Sequence, residues 1–144
     1  EDTTMITPTP SNEPDPAEGA AATHYILGGA HIGVAIAERL RAEGQQVAIV
    51  DEPSPSEDIP SVVGDPAAMD VLAESGVEDA STVIAATKSD RRNLLIAQLV
   101  RVQFDVPRVL ALVNDPSRRG AFADAGHEPL CVTTMLSEAV GEVV

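Results

Sequence analysis

The stretch from Tyr25 to Gly33, YILGGAHIG, constrains the fold more than any other part of the chain. An apolar run ends in small residues and is followed by helical spacing, the pattern of a strand that turns into a helix. Small residues allow a tight bend at Gly28, close approach of a diphosphate near Ala30 and close packing of the helix on the strand at Gly33. The N-terminus of the helix then presents N–H groups and a partial positive charge to an anion. Such turns are common, so this stretch alone is a weak signal.

Strand and helix patterns alternate along the rest of the chain. The predicted strands are 24–27, 47–50, 61–63, 82–86, 108–113 and 130–132. The predicted helices lie between them: one follows the glycine turn and ends at Gly44, and the others cover 67–75, 90–104, 118–125 and 133–144, with Asp65 and Thr134 as N-caps of the second and the last. This alternation predicts an α/β fold, a Rossmann-type doubly wound parallel sheet in the order 3-2-1-4-5-6, whose crevice lies at the carboxyl ends of strands 1 and 4.

Three segments are expected. Residues 1–22 hold four prolines, five acids and no basic residue, which predicts a disordered leader, either a linker or a solvated tail. Residues 23–133 form the Rossmann domain. Residues 134–144 start a further helix that needs a partner or a continuation of the chain to pack on.

The predicted helix over 90–104 is apolar on two sides. One side would pack on the sheet, and a second subunit is expected to cover the other. The apolar residues are Leu94, Leu95, Ile96, Ala97, Leu99, Val100, Val102 and Phe104.

The net charge of −14 disfavours nucleic acid and anionic membrane surfaces as partners. The single lysine among 23 acids is consistent with adaptation to high salt, which is a hypothesis. The one cysteine, Cys131, lies in an apolar stretch and is expected to be a core thiol. No apolar run is long enough to span a bilayer and no secretory signal is visible, so a cytoplasmic location is expected.

Asp51 is the most informative polar residue. It follows a predicted strand and lies 18 residues after Gly33, close to the spacing of about 20 for an acid that binds ribose hydroxyls. A carboxylate there accepts two hydroxyl hydrogen bonds and repels a 2′-phosphate. Glu52 reinforces the repulsion, so NADP is disfavoured. The alternative is an ordinary acid at a strand end.

Further motifs resemble the TrkA-N domain, the nucleotide-binding half of the RCK (regulator of potassium conductance) module. The resemblance covers about residues 23–133, and its motifs are more specific than the glycine turn. They are Val63-Gly64-Asp65, the Thr87-x-x-Asp90-x-x-Asn93 pattern and Val113-Asn114-Asp115-Pro116.

The resemblance implies a non-enzymatic regulatory domain that binds NAD or NADH, or alternatively ATP, ADP or AMP. It implies a homodimer, often within a larger ring, that controls a potassium channel or transporter from the cytoplasmic side. Residues 134–144 would then start the crossover helix to a C-terminal half.

The resemblance also implies a set of cofactor-binding residues. The glycine turn would hold the phosphates, with His31 facing them. Asp51 would bind the ribose, and Asp65 would lie beside the adenine. The 87–93 loop would line the opposite wall of the site. The full set is Gly28, Gly29, Ala30, His31, Ile32, Gly33, Asp51, Glu52, Gly64, Asp65, Thr87, Asp90 and Asn93.

Two positions depart from the family pattern. Ala30 places a methyl group where backbone and pyrophosphate come closest, and Leu112 stands where the family commonly has an arginine. Lys88 or His31 would restore part of the lost positive charge. Both departures favour a mononucleotide or a vestigial site over tight dinucleotide binding.

Two alternative functions stay open: an NAD-dependent oxidoreductase fragment with Lys88 as its candidate acid or base, and a structural ring subunit with a vestigial site. No spacing of residues predicts a metal site. Arg91 and Arg92 lie in the first turn of a predicted helix, where the dipole disfavours cations. Plain solvation of both is favoured over their being held by an acid or a ligand.

Overall fold

A computed structural model of the chain describes residues 23–52 and 58–144. Its centre is a six-stranded sheet in the order β3-β2-β1-β4-β5-β6, with every neighbouring pair parallel. The strands are β1 Thr23–Leu27, β2 Gln46–Asp51, β3 Ser61–Val63, β4 Thr82–Ala85, β5 Arg108–Val113 and β6 Glu128–Cys131. The predicted fold class and strand order are confirmed, and the predicted leader, residues 1–22, lies outside the described residues.

Helices cover both faces of the sheet. They are α1 His31–Ala42, α2 Met69–Ser75, α3 Asp90–Gln103, α4 Arg119–Asp124 and α5 Val132–Val143, with short 3-10 turns at Val77–Asp79 and Pro116–Arg118. Within the part of the chain that the structure describes, no helix is long and apolar enough to cross a membrane.

Alternation along each strand divides the core into two layers. In β1, Ile26 packs into the layer that holds α1, whereas the next residue, Leu27, packs into the layer under α2, α3 and α4. Both side chains are fully buried. Strands buried on both faces read as continuous apolar runs, which explains why the strands could be predicted without aromatic residues.

Two helix starts differ from their predictions. Asp65 does not cap α2: its carboxylate accepts the N–H of Ala67 in a tight turn, and Ala68 is extended, so the helix begins at Met69. Thr134 does not cap α5, because β6 runs into that helix without a loop and Cys131 occupies the cap position. Cys131 is buried, as predicted for a core thiol.

The two-sided apolar character predicted for α3 is smaller than expected. Leu94, Leu99 and Phe104 pack partly buried against the core, and the large apolar side chains left exposed are Leu95 and Val102. Among the described elements, α5 carries the largest group of exposed large apolar side chains, and none of its residues is buried. Its exposed members are Met135, Leu136, Val140 and Val143.

Candidate functional site

The carboxyl ends of β1, β2 and β4 meet at one edge of the sheet. Leu27 is in register with Val50 on one side and with Ala85 on the other. The glycine turn, the acid that ends β2 and the loop after β4 are therefore neighbours, as the sequence predicted.

The glycine turn is fixed by close packing on three sides. Gly28 has φ of +82°, and a Cβ on it would lie 2.5 Å from Cγ2 of Thr87. Gly29 has φ of +100°, and a Cβ there would lie 2.9 Å from the Ala86 carbonyl oxygen. A Cβ on Gly33 would lie 2.4 Å from the Gly28 carbonyl oxygen, so only glycine lets α1 approach the end of β1 this closely.

Ala30 follows in a conformation that favours glycine. Its φ is 47° and its ψ is −116°, and its N–H donates to Oδ2 of Asp51 at 3.0 Å. Such backbone costs on the order of 1–3 kcal/mol and persists where its surroundings enforce it. The next turn begins α1, where His31 and Ile32 are both exposed at the end of the helix that faces the crevice.

Asp51 joins the turn to the end of β2. Its Oδ1 accepts the N–H of Glu52 at 2.8 Å, and its Oδ2 accepts the N–H of Ala30. The residue is only 8% exposed. Each carboxylate oxygen has a second lone pair, so the group retains acceptor capacity for hydroxyl groups. The next residue, Glu52, is exposed.

The loop after β3 lies next to Asp51. The Gly64 N–H donates to the Asp51 carbonyl oxygen at 2.9 Å, and a Cβ on Gly64 would lie 2.8 Å from Cγ1 of Val71 in α2. Gly64 therefore serves close packing against α2. Nη2 of Arg92 donates a hydrogen bond to Oδ1 of Asp65 at 2.7 Å. The expectation that Arg92 is merely solvated is wrong, because this carboxylate holds it.

Asn93 lies behind the crevice wall. It is fully buried, and its Oδ1 accepts both the N–H and the hydroxyl of Thr87, at 2.9 and 2.6 Å. Its Nδ2 donates to the carbonyl oxygens of Thr87 and Leu112, both at 2.9 Å. Asn93 thus holds Thr87 in place and has no exposed surface to offer a ligand.

Asp90 fastens the loop after β5. Its Oδ1 accepts the N–H of Asn114 at 2.6 Å and its Oδ2 that of Asp115 at 2.9 Å. The hydroxyl and backbone N–H of Ser117 in turn hold the pKa of Asp115 below its ordinary value. Asp90 is buried, and the main role of its carboxylate is to hold the loop after β5 through these hydrogen bonds.

Two hollows open at this edge of the sheet. The first, of about 250 Å³, brings four of the predicted residues together with two cations; its lining is Gly29, Ala30, Asp51, Thr87, Lys88 and Arg92. The second, of about 530 Å³, lies beyond the loop after β4; its lining is Ser89, Asp90, Arg91, Asn114, Asp115 and Arg118. Gly33, Gly64 and Asn93 lie behind these surfaces. From here on, the term crevice means the first of these two hollows.

Arg92 is the lining residue that sequence reasoning assigned wrongly. Its signal was its place in the first turn of α3, where a cation is unfavourable unless something holds it. Among residues 23–52 and 58–144, no cluster of three histidine, cysteine or acidic side chains could hold a metal ion.

This geometry agrees with the family comparison. The family model of the TrkA-N domain matches residues 25–132, three quarters of the chain. The chain belongs to the TrkA-N domain family. The predicted resemblance is confirmed.

The curated relatives carry the same family name. The Trk system potassium uptake protein TrkA of Mycobacterium tuberculosis is 28% identical over 127 residues, which cover 83% of this chain and 58% of that protein. The protein of the same name from Azorhizobium caulinodans is 34% identical over 132 residues, 83% of this chain and 28% of that protein. The chain therefore spans at most about three fifths of these two relatives.

Solved structures share the fold. The NAD(P)-binding domain of an exopolyphosphatase-related protein from Archaeoglobus fulgidus is 25% identical with a TM-score of 0.71, covering 82% of this chain and 94% of that one. GsuK bound to ADP is 22% identical with a TM-score of 0.76, over 88% and 35%. The Kef CTD of Shewanella denitrificans in its AMP-bound form is 20% identical with a TM-score of 0.69, over 84% and 80%.

Proposed function

We propose that this TrkA-N domain is a regulatory nucleotide-binding domain of a potassium transport system and not an enzyme. The observation that carries the proposal is the crevice, where the N-terminal end of α1, a buried acid and two cations face one space. The names of the TrkA relatives support the link to potassium uptake. The domain would act in the cytoplasm, at the membrane through a transporter or channel subunit.

The ligand that fits this proposal best is an adenine nucleotide. Asp51 would accept the ribose hydroxyls, the turn would face the phosphates, and Asp65 would lie beside the base. The fold is shared with GsuK bound to ADP, with the Kef CTD in its AMP-bound form and with an NAD(P)-binding domain. The Ala30 methyl group, placed where the pyrophosphate of a dinucleotide would come closest to the backbone, favours AMP or ADP over NAD or NADH.

Regulation requires that the nucleotide bind one arrangement of a dimer better than another, because a ligand shifts an equilibrium only by its differential affinity. The exposed apolar side chains of α5, with Leu136, Val140 and Val143 the most exposed, would supply the contact between subunits. In this proposal α5 is the crossover helix, and higher rings would build on the same dimer.

One observation favours the alternative of a vestigial site. Both oxygens of the Asp51 carboxylate already accept backbone N–H groups, from Ala30 and from Glu52. Under this alternative the acid serves only to fasten the turn, and the crevice stays empty at cellular nucleotide concentrations.

Calorimetric titration of NADH, NAD, ATP, ADP and AMP into the domain in molar KCl distinguishes a nucleotide-binding domain from one with a vestigial site. The proposal expects at least one adenine nucleotide to bind more tightly than millimolar. If none of the five does, the domain has no nucleotide-sensing function. Oxidation of NADH that depends on a second substrate would instead support the oxidoreductase alternative.

A further inference from the structure

The basic residues of this chain are few and unevenly placed. Nine lysine and arginine residues face 23 acids, yet five of the nine lie in two short segments after β4 and β5. Both segments start helical turns, where the dipole disfavours cations. These residues are Lys88, Arg91, Arg92, Arg118 and Arg119.

Arg92 is the member of this group whose position is best defined. Its Nη2 lies 2.7 Å from Oδ1 of Asp65, across from the glycine turn, and it lines the crevice beside Lys88. The side chains of the pair are 41% and 47% exposed. An ion pair this exposed contributes little to stability, so the guanidinium can change partners at small cost.

A phosphate is the natural competitor for that guanidinium. Carboxylate and phosphate both match its planar fork with two parallel hydrogen bonds. A phosphate held at the N-terminal end of α1 would enter the crevice that Arg92 lines, next to Ala30. The β5 position Leu112 cannot supply a competing cation, because its side chain is apolar and buried in the layer under α1.

We propose that Arg92 is the phosphate-binding residue of the crevice and that Asp65 positions its guanidinium until a phosphate displaces the carboxylate. The ligand class is a nucleoside with at least one 5′-phosphate. This inference rests on the proposed nucleotide-binding function and adds the group that distinguishes a nucleotide from its nucleoside.

The test compares adenosine with AMP. Two-dimensional NMR titration at one fixed KCl concentration gives both dissociation constants, and their ratio is the affinity contributed by the phosphate. We expect a ratio of at least about 10 in the unaltered domain, since a charge-assisted hydrogen bond contributes about this much. In Arg92→Gln the ratio should fall at least fivefold while the dissociation constant of adenosine stays within twofold.

Arg91→Gln is the matched control, because it removes the same charge from the adjacent residue, which lines the neighbouring hollow instead. Its ratio should stay within about twofold of the unaltered domain. Arg92→Lys, which keeps the charge and loses the fork, should give an intermediate ratio. Asp65→Asn releases the guanidinium, so its ratio should not fall. Thermal unfolding of each variant reports whether it folds.

Four outcomes overturn the inference. Equal losses of adenosine and AMP affinity in Arg92→Gln would show that the guanidinium contacts the base or only supports the fold. An equal fall of the ratio in Arg91→Gln would show a general effect of charge. An unchanged ratio in Arg92→Gln would show that Arg92 does not bind the phosphate, although the proposed nucleotide binding would stand. If the unaltered domain binds neither compound, this inference fails, whereas the proposed nucleotide binding fails only if ATP, ADP, NAD and NADH do not bind either.

Discussion

Ala30 holds a backbone conformation that favours glycine at the point where a phosphate would approach. The tight packing of Gly28 against Thr87 and of Gly29 against Ala86, together with the bond from the Ala30 N–H to Asp51, keeps it there. The strain is therefore imposed by the site and not by the residue itself.

Ala30→Gly should raise the free energy of unfolding by about 1 kcal/mol, because relief of the strained backbone outweighs the extra chain entropy of glycine. Chemical denaturation measures the change. Ala35→Gly in the exposed interior of α1 is the control and should lower stability by about 0.5–1 kcal/mol. Equal losses in the two variants would contradict the strain at Ala30.

His127 is the second residue whose environment conflicts with its chemistry. It is 3% exposed, and neither ring nitrogen has a hydrogen-bond partner among the described residues. Burial, and to a smaller extent the charge of Arg101, lowers the pKa of His127 below its ordinary value.

Since the unfolded chain then binds the His127 proton at a higher pH than the folded one, stability should fall as pH drops below about 6.5, the ordinary histidine pKa. Above that pH the residue contributes no dependence. His127→Leu should flatten this part of a plot of melting temperature against pH. An identical slope in His127→Leu would assign the dependence to other groups.

At the scale of elements, the N-terminal end of α3 ties three parts of the sheet edge together. Asn93 bonds to the loop after β4 and to β5, and Asp90 bonds to the loop after β5. The sequence predicted the 87–93 motif as a wall of the site. In the structure, Asp90 and Asn93 of this motif hold the neighbouring loops in position.

Asn93→Ala should lower the free energy of unfolding by about 2–3 kcal/mol, because it leaves the buried carbonyl of Leu112 and the half-buried backbone groups of Thr87 without partners. The exposed Asn114→Ala, which also loses hydrogen bonds near this edge, should cost less than about 1 kcal/mol, since water replaces what it loses. Urea denaturation compares them. A loss below 1 kcal/mol in Asn93→Ala would mean that the wall holds without this amide.

The strands and their order were predictable, because buried apolar runs between turn residues mark a parallel sheet directly in the sequence. The spacing of Asp51 from Gly33 likewise placed the acid at the turn. The contact of Arg92 with Asp65, 27 residues apart, was not predictable, since it depends on how the fold brings the loop after β3 next to the first turn of α3. The start of α2 was missed because a carboxylate turn at Asp65 competes with the helix.

On the scale of the whole molecule, charge is the dominant property. The net charge of −14 acts against a compact fold through mutual repulsion of the acids, and salt screens that repulsion. The ion pairs Arg39–Glu43 and Arg108–Glu128 are exposed and contribute little in return.

The melting temperature should therefore rise from salt-free buffer to molar KCl. NaCl at equal concentration should act to the same extent if screening is the cause, so it serves as the control. Calorimetric or fluorescence-monitored unfolding measures both series. A domain that is fully folded without salt and gains no stability from KCl would refute adaptation to high salt.

Nucleotide binding in the crevice is proposed to depend on Asp51. This is tested by the dissociation constant of ADP, measured by calorimetry in molar KCl, for the unaltered domain, for Asp51→Ala and for the control Glu38→Ala, which changes an exposed acid on α1. We expect binding tighter than millimolar in the unaltered domain, weakened at least about tenfold in Asp51→Ala and by less than about twofold in Glu38→Ala. Equal affinities in Asp51→Ala and the unaltered domain, or no binding by either, would show that Asp51 does not bind a nucleotide.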